Sequence, residues 1–286
     1  MMKKNLHNWV FLLCLVLFFA MFDTAIAYFG EEIWPYAYND YEATRVAHPE
    51  AVWDRVFYGS SDIVSAYREE LSEAGYVEFG MDYAVMTDLW KLLDQGHIRV
   101  GSDLVIAMNL FALYDDFATN PAYIWHRGPL EPYTYFHRDK LQRIAEDGLD
   151  LLMGKEVRSF RKVLYYGALS QEELAKKLVT FEEKYFSLPL EDFQENIAIM
   201  DQIADWCDSH DVRLRILWMP FHPDVEKPER MLELMEIING WCAERSIAVG
   251  DFTDKMSREC FHDITHLNDE IGAAKFTEVI DPWLLG

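Results

Sequence analysis

The stretch Val56-Phe57-Tyr58-Gly59-Ser60-Ser61-Asp62-Ile63 reads as the end of a buried strand, a tight turn and the start of a helix. Residues 53–58 are β-rich, Gly59 permits a sharp turn, and apolar residues at helical spacing begin at Ile63. A serine at such a helix start has its oxygen near unpaired backbone N–H groups and the positive end of the helix. That placement favours a developing alkoxide or oxyanion, and it equally suits a plain helix cap.

Working outward, further β-rich runs occupy 76–79, 104–108, 212–219 and 246–249. Helical patterns separate most of them, over 63–74, 86–95, 190–210 and 228–245, and a last helix is predicted over about 268–280. Alternating strand and helix implies an α/β fold: a five-stranded parallel sheet with helices on both faces in three layers. Its active residues are expected on loops beyond the carboxyl ends of the strands. Residues 111–188 interrupt the alternation and read as a mostly helical insertion after the third strand. It carries Tyr114, Tyr123, Trp125, His126, Tyr133, Tyr135, Phe136 and His137. Two readings fit these rings: stacking faces for sugars on a lid, with Trp125 and Tyr133 as candidates, or a small satellite core.

The 286 residues, 51% of them hydrophobic and 15% aromatic, suffice for one large core. Ahead of it, Lys3 and Lys4 precede an uncharged apolar run over 9–22 that ends at Asp23, the pattern of an export signal. A cleaved signal peptide, with Ala25-Ile26-Ala27 as the cleavage site, and an uncleaved membrane anchor over 9–28 both fit; the anchor is preferred. Cys14 lies inside the apolar run behind Leu13, which excludes a lipoprotein signal. The chain thus divides into a signal or anchor over 1–28, an irregular lead-in over 29–50 and one extracytoplasmic domain over 51–286.

A formal net charge of −23 argues against nucleic acid and anionic lipid surfaces as partners. Cys207, Cys242 and Cys260 form no CxxC spacing, so free buried thiols are preferred over a zinc ribbon or redox pair, with one bridge and a spare as the alternative.

A second motif lies near the end of the chain: Phe261-His262-Asp263-Ile264-Thr265-His266-Leu267-Asn268. On a turn, a carboxylate three residues before a histidine can accept from one ring nitrogen and leave the other free to take a proton from a serine. Asn268, followed by Asp269 and Glu270, resembles an N-cap with first-turn acids, which places the Asp-His pair on the loop before the last helix. The same letters superficially match the His-Glu-x-x-His zinc helix, but that motif needs a helix through both histidines. No metal or other cofactor is expected. His222, within Met219-Pro220-Phe221-His222-Pro223, reads either as a rim residue of the site or, preferably, as a turn residue between prolines.

These motifs resemble the blocks of the SGNH (GDSL-like) hydrolase superfamily of serine esterases and acyltransferases, over about residues 53–285. Gly59-Ser60-Ser61 matches the Gly-Asp-Ser block, with Ser60 in place of Asp as in some branches related to envelope polysaccharide acylation. The resemblance makes Ser61 the nucleophile. Gly80, in Tyr76-Val77-Glu78-Phe79-Gly80-Met81-Asp82, matches the glycine whose N–H helps form the oxyanion hole. Asn109, in Ile106-Ala107-Met108-Asn109-Leu110, matches the oxyanion-hole Asn, although the Gly before it and the Asp after it are missing. Asp263 and His266 match the Asp-x-x-His block without departure. The resemblance implies a Ser61-His266-Asp263 triad, an oxyanion hole from Ser61, Gly80 and Asn109, and an exported esterase or O-acyltransferase. The implied substrates are acyl esters, acetyl above all, of cell-envelope carbohydrate, with a membrane-bound acyl-transfer partner in the transferase case. The competing expectation is a non-catalytic relative that binds a glycan or scaffolds a membrane complex.

Overall fold

A computed structural model describes residues 2–33, 36–121, 123–126, 138–157 and 159–286. In chain order its helices are α1 (Met2–Ile33), α2 (Asp40–Ala47), α3 (Ser61–Ala66), α4 (Met86–Asp94), α5 (Arg138–Leu152), α6 (Gln171–Phe181), α7 (Gln194–Ser209), α8 (Glu229–Arg245) and α9 (Gly272–Leu285). The strands are β1 (Trp53–Gly59), β2 (Val77–Gly80), β3 (Val100–Met108), β4 (Arg213–Trp218) and β5 (Ala248–Asp251). They form one all-parallel sheet in the order β2-β1-β3-β4-β5, the flavodoxin-like doubly wound arrangement.

The central strands β1, β3 and β4 are largely buried on both faces, and their alternation sorts side chains between two cores. On one face Val56, Tyr58, Leu104, Ile106, Ile216 and Trp218 pack with Leu89 and Leu92 of α4, Ile203 of α7 and Ile238 of α8. On the other, Phe57, Val105, Ala107 and Leu217 meet Ile63 of α3 with Phe276 and Ile280 of α9. The strand order reverses between β1 and β3, so a crevice opens beyond their carboxyl ends, at Ser60-Ser61 and Asn109.

The structure corrects several predicted boundaries. The helix expected over 63–74 stops at Ala66, because Tyr67 is extended and the Arg68 N–H donates to Thr277 Oγ1 at 3.0 Å instead of to a helical carbonyl. β3 begins at Val100, upstream of the predicted 104. The last helix begins at Gly272, after the Asn268 carboxamide has accepted from the N–H groups of Ile271 and Gly272 at 3.1 and 3.0 Å. The lead-in is not irregular, since Asn39 caps α2 through Glu42 N–H at 2.8 Å and Tyr41 of α2 joins the core. The folded body thus includes residues upstream of 51.

In α1, Trp9, Phe11, Leu13 and Phe18 are exposed. Among the described residues no helix is long and apolar enough to cross a membrane. Cys207, Cys242 and Cys260 are buried and free, matching the preferred expectation.

Candidate active site

Gly59 closes β1 where the backbone passes close to β3: a Cβ there would lie 2.7 Å from the Ala107 Cβ and 2.9 Å from Ile63 Cγ2. Ser60 takes the N-cap position with extended backbone, which makes Ser61 the first residue of α3. In that position the Ser61 N–H has no acceptor within the helix and its side chain faces the crevice.

The His266 loop is tied back on itself by an antiparallel bridge between Phe261 and Leu267 and by His262 N–H donating to His266 O at 2.8 Å. Inside that loop Asp263 is fully buried and accepts from the backbone N–H groups of Thr265 and His266 at 3.0 and 2.9 Å. The His266 Nδ1 lies 3.0 and 2.9 Å from the two Asp263 oxygens, and its Nε2 lies 2.9 Å from Ser61 Oγ. An ionised carboxylate only accepts, so Nδ1 carries the hydrogen and Nε2 presents a lone pair to the Ser61 hydroxyl. Burial pushes the Asp263 carboxyl up, but the hydrogen bond and charge of His266, together with Lys177, more than offset it and hold it well below the usual carboxylate range. The three side chains that the two distant motifs predict are thus brought into one hydrogen-bonded chain. Residues 262–266 form a loop rather than a helix, so the zinc-helix geometry is not realised, and the His262 Nδ1 sits 3.1 and 3.0 Å from the carbonyls of Tyr166 and Gly167.

The predicted oxyanion donors fare differently. Asn109 lines the cavity at the end of β3; its Nδ2 donates to Asp62 Oδ2 at 2.6 Å and its Oδ1 accepts from Ala112 N–H at 2.8 Å. Gly80 does not reach the cavity: its N–H donates to its neighbour Glu78 at 2.6 Å, and it packs against α3. The match of Gly80 to an oxyanion donor is therefore corrected to a packing position at the β2 end.

Sequence reasoning missed three groups. Asp62, buried, accepts from Ser60 Oγ at 2.7 Å, Ile63 N–H at 2.9 Å and Asn109, with burial raising its carboxyl against these bonds. Lys177, on α6 of the insertion, donates to the buried Asp263. Tyr165, also from the insertion, stacks on His266 with centroids 4.3 Å apart and planes inclined by 23°. The only sequence signal for the last two is their place in an aromatic, helical insertion beside the site. The cavity, of about 270 Å³, is lined by Phe111, Phe117, Phe181 and Tyr185 together with Ser61 and His266.

The other candidates lie elsewhere. Trp125 is buried with its indole N–H donating to Asp88 at 2.7 Å, which rules it out as an exposed sugar platform. His126 also approaches Asp88, at 3.2 Å. Tyr133, Tyr135, Phe136 and His137 lie outside the described residues. His222 is buried, its Nδ1 accepting from Asp224 N–H at 3.2 Å, so it is a turn residue as preferred and not a rim group.

The fold and site define a doubly wound α/β protein with a Ser-His-Asp chain at its topological switch point. No family model matches the chain, and no curated protein matches it.

Proposed function

We propose that the protein is an exported serine esterase or O-acyltransferase of the SGNH type, acting on acyl esters, acetyl above all, of cell-envelope carbohydrate. The single observation that carries this reading is the continuous path from Ser61 Oγ through His266 to Asp263, with 2.9 Å between Ser61 and His266. In the proposed cycle Ser61 attacks the ester carbonyl while His266 Nε2 takes its proton. The tetrahedral intermediate then collapses to an acyl-enzyme as His266 returns that proton to the alcohol. Water or a sugar hydroxyl resolves the acyl-enzyme. Asp263 holds His266 in the productive tautomer. The developing oxyanion would meet the Ser61 N–H and the pocket-facing Asn109, each such donor being worth about 3 kcal/mol at the barrier.

The apolar sequence run over 9–22, with Lys3 and Lys4 ahead of it, supports placement outside the cytoplasmic membrane with residues 9–28 as an export signal or anchor, and sequencing the N-terminus of the mature protein tests that placement. In the transferase case a membrane-bound acyl donor would sit beside it.

A fluorophosphonate tests the serine. It is expected to form one adduct, on Ser61, visible by intact mass, and Ser61→Ala is expected to lose both adduct and turnover with unchanged folding. A non-catalytic, glycan-binding or scaffold role is the second reading, favoured by the engagement of the Gly80 N–H with Glu78. Absence of labelling in folded protein would select it.

A further inference from the structure

The segment that follows α5 lies across the His266 loop. Asp269 N–H donates to Tyr165 O at 2.7 Å, Leu169 N–H to His262 O at 2.8 Å, and Gly167 N–H to the Glu270 carboxylate at 2.8 and 2.9 Å. These bonds fix the Tyr165 backbone to the loop that carries His266, and the Tyr165 ring lies nearly parallel on the imidazole. The residue lines the same cavity as Ser61. The phenol is therefore on the imidazole side of the nucleophile. There the alcohol oxygen of an ester must sit to receive a proton from His266 Nε2, whereas the carbonyl oxygen points towards the Ser61 N–H at the start of α3.

We propose that the Tyr165 hydroxyl is a further catalytic group, which donates a hydrogen bond to the alcohol oxygen of the ester as it leaves and to the acceptor oxygen as it enters. This rests on Ser61 being the nucleophile. As the tetrahedral intermediate collapses, the bond from the acyl carbon to the alcohol oxygen breaks and its electron pair goes to that oxygen. The proton on His266 Nε2 then moves to it. Tyr165 keeps its own proton throughout and stabilises the charge passing through the oxygen. Burial, with Asp82 and Asp263 nearby, pushes the Tyr165 phenol up to about 12, although Ser61 opposes this, so at neutral pH it is a donor and not a base. The substrate class that profits is esters of ordinary alcohols, sugar hydroxyls included, because their oxygen carries most charge at the transition state.

The dependence on leaving group separates this role from ring packing and from an oxyanion donor, which would serve every ester alike. The full-length chain and Tyr165→Phe, which keeps the stacked ring, are compared by kcat/KM on an acetylated monosaccharide and on an activated aryl acetate. The variant is expected to lose about 10- to 100-fold on the sugar ester and less than about 3-fold on the aryl ester, the loss being that of one hydrogen bond to a charged oxygen. Equal losses on both esters, or none on either, overturn the role of Tyr165. If the unaltered chain neither takes up fluorophosphonate nor turns over aryl acetate, the serine reading fails and this inference with it.

Discussion

Asn109 donates from Nδ2 to Asp62 at 2.6 Å, across the gap between the carboxyl ends of β3 and β1. Asp62 stands one residue after Ser61, and Ser60, the residue before Ser61, donates to the same carboxylate at 2.7 Å. A single buried carboxyl group thus fixes both the turn that carries Ser61 and the carboxamide facing the cavity.

Asp62→Ala leaves Ser60 Oγ and Asn109 Nδ2 without their acceptor and removes one of the two acceptors of the Ile63 N–H, so the unfolding free energy is expected to fall by about 1–3 kcal/mol. Asn109→Ala removes one of the same bonds. A double-mutant cycle by chemical denaturation is expected to show the two losses coupled by roughly 1 kcal/mol. Strict additivity would show that the pair does not act as a unit.

Lys177 places a cation against the fully buried Asp263, and it comes from α6 of the insertion rather than from the sheet. If it holds Asp263 in register, Lys177→Met lowers kcat on an aryl acetate about 10-fold, the worth of one hydrogen bond to a charged group. Lys177→Arg should recover part of that loss. Wild-type rates in Lys177→Met would reduce the contact to surface decoration.

The sheet was legible because each strand is a short apolar run between turn residues, and the triad because its parts are local patterns: a strand-turn-helix at Ser61 and a three-residue spacing at Asp263 and His266. What was hidden depends on long-range closure. Lys177 and Asp263 are separated by 86 positions, and nothing in the letters around either announces the other. The early end of α3 was unreadable for the same reason, since the Arg68 N–H is captured by Thr277 on α9. Gly80 misled differently. It ends β2 as the sequence suggests, but the Glu78 side chain, itself paired with Lys162 at 2.8 Å, folds over the amide and takes it.

Gly80→Ala separates packing from catalysis. A Cβ at this position would lie 2.5 Å from Val64 Cγ2 and from Glu78 Oε1, and 2.6 Å from Ile63 Cγ2, so β2 and α3 must part. The expected result is a loss of about 1–3 kcal/mol of stability, typical of overpacking, with the fluorophosphonate adduct on Ser61 retained in the folded fraction. Full stability with lost labelling would restore Gly80 to the oxyanion hole.

Acid should weaken the fold through Asp263. Its carboxyl is held well below the usual range in the folded chain despite burial, by His266 and Lys177, whereas the unfolded chain regains an ordinary Asp near about 4. As pH falls below that value the unfolded state binds a proton that the folded state refuses, so stability present above about 4 is lost on acidification. Asp62 and Glu78, whose carboxyls burial pushes up, work in the opposite sense, because the folded state takes their protons first. Asp263→Asn isolates the first contribution from the others. The gap in unfolding temperature between the unaltered chain and the variant is expected to narrow as pH is lowered from about 6 to about 3. A gap that holds constant or widens would mean that Asp263 is not the depressed carboxylate of the folded state.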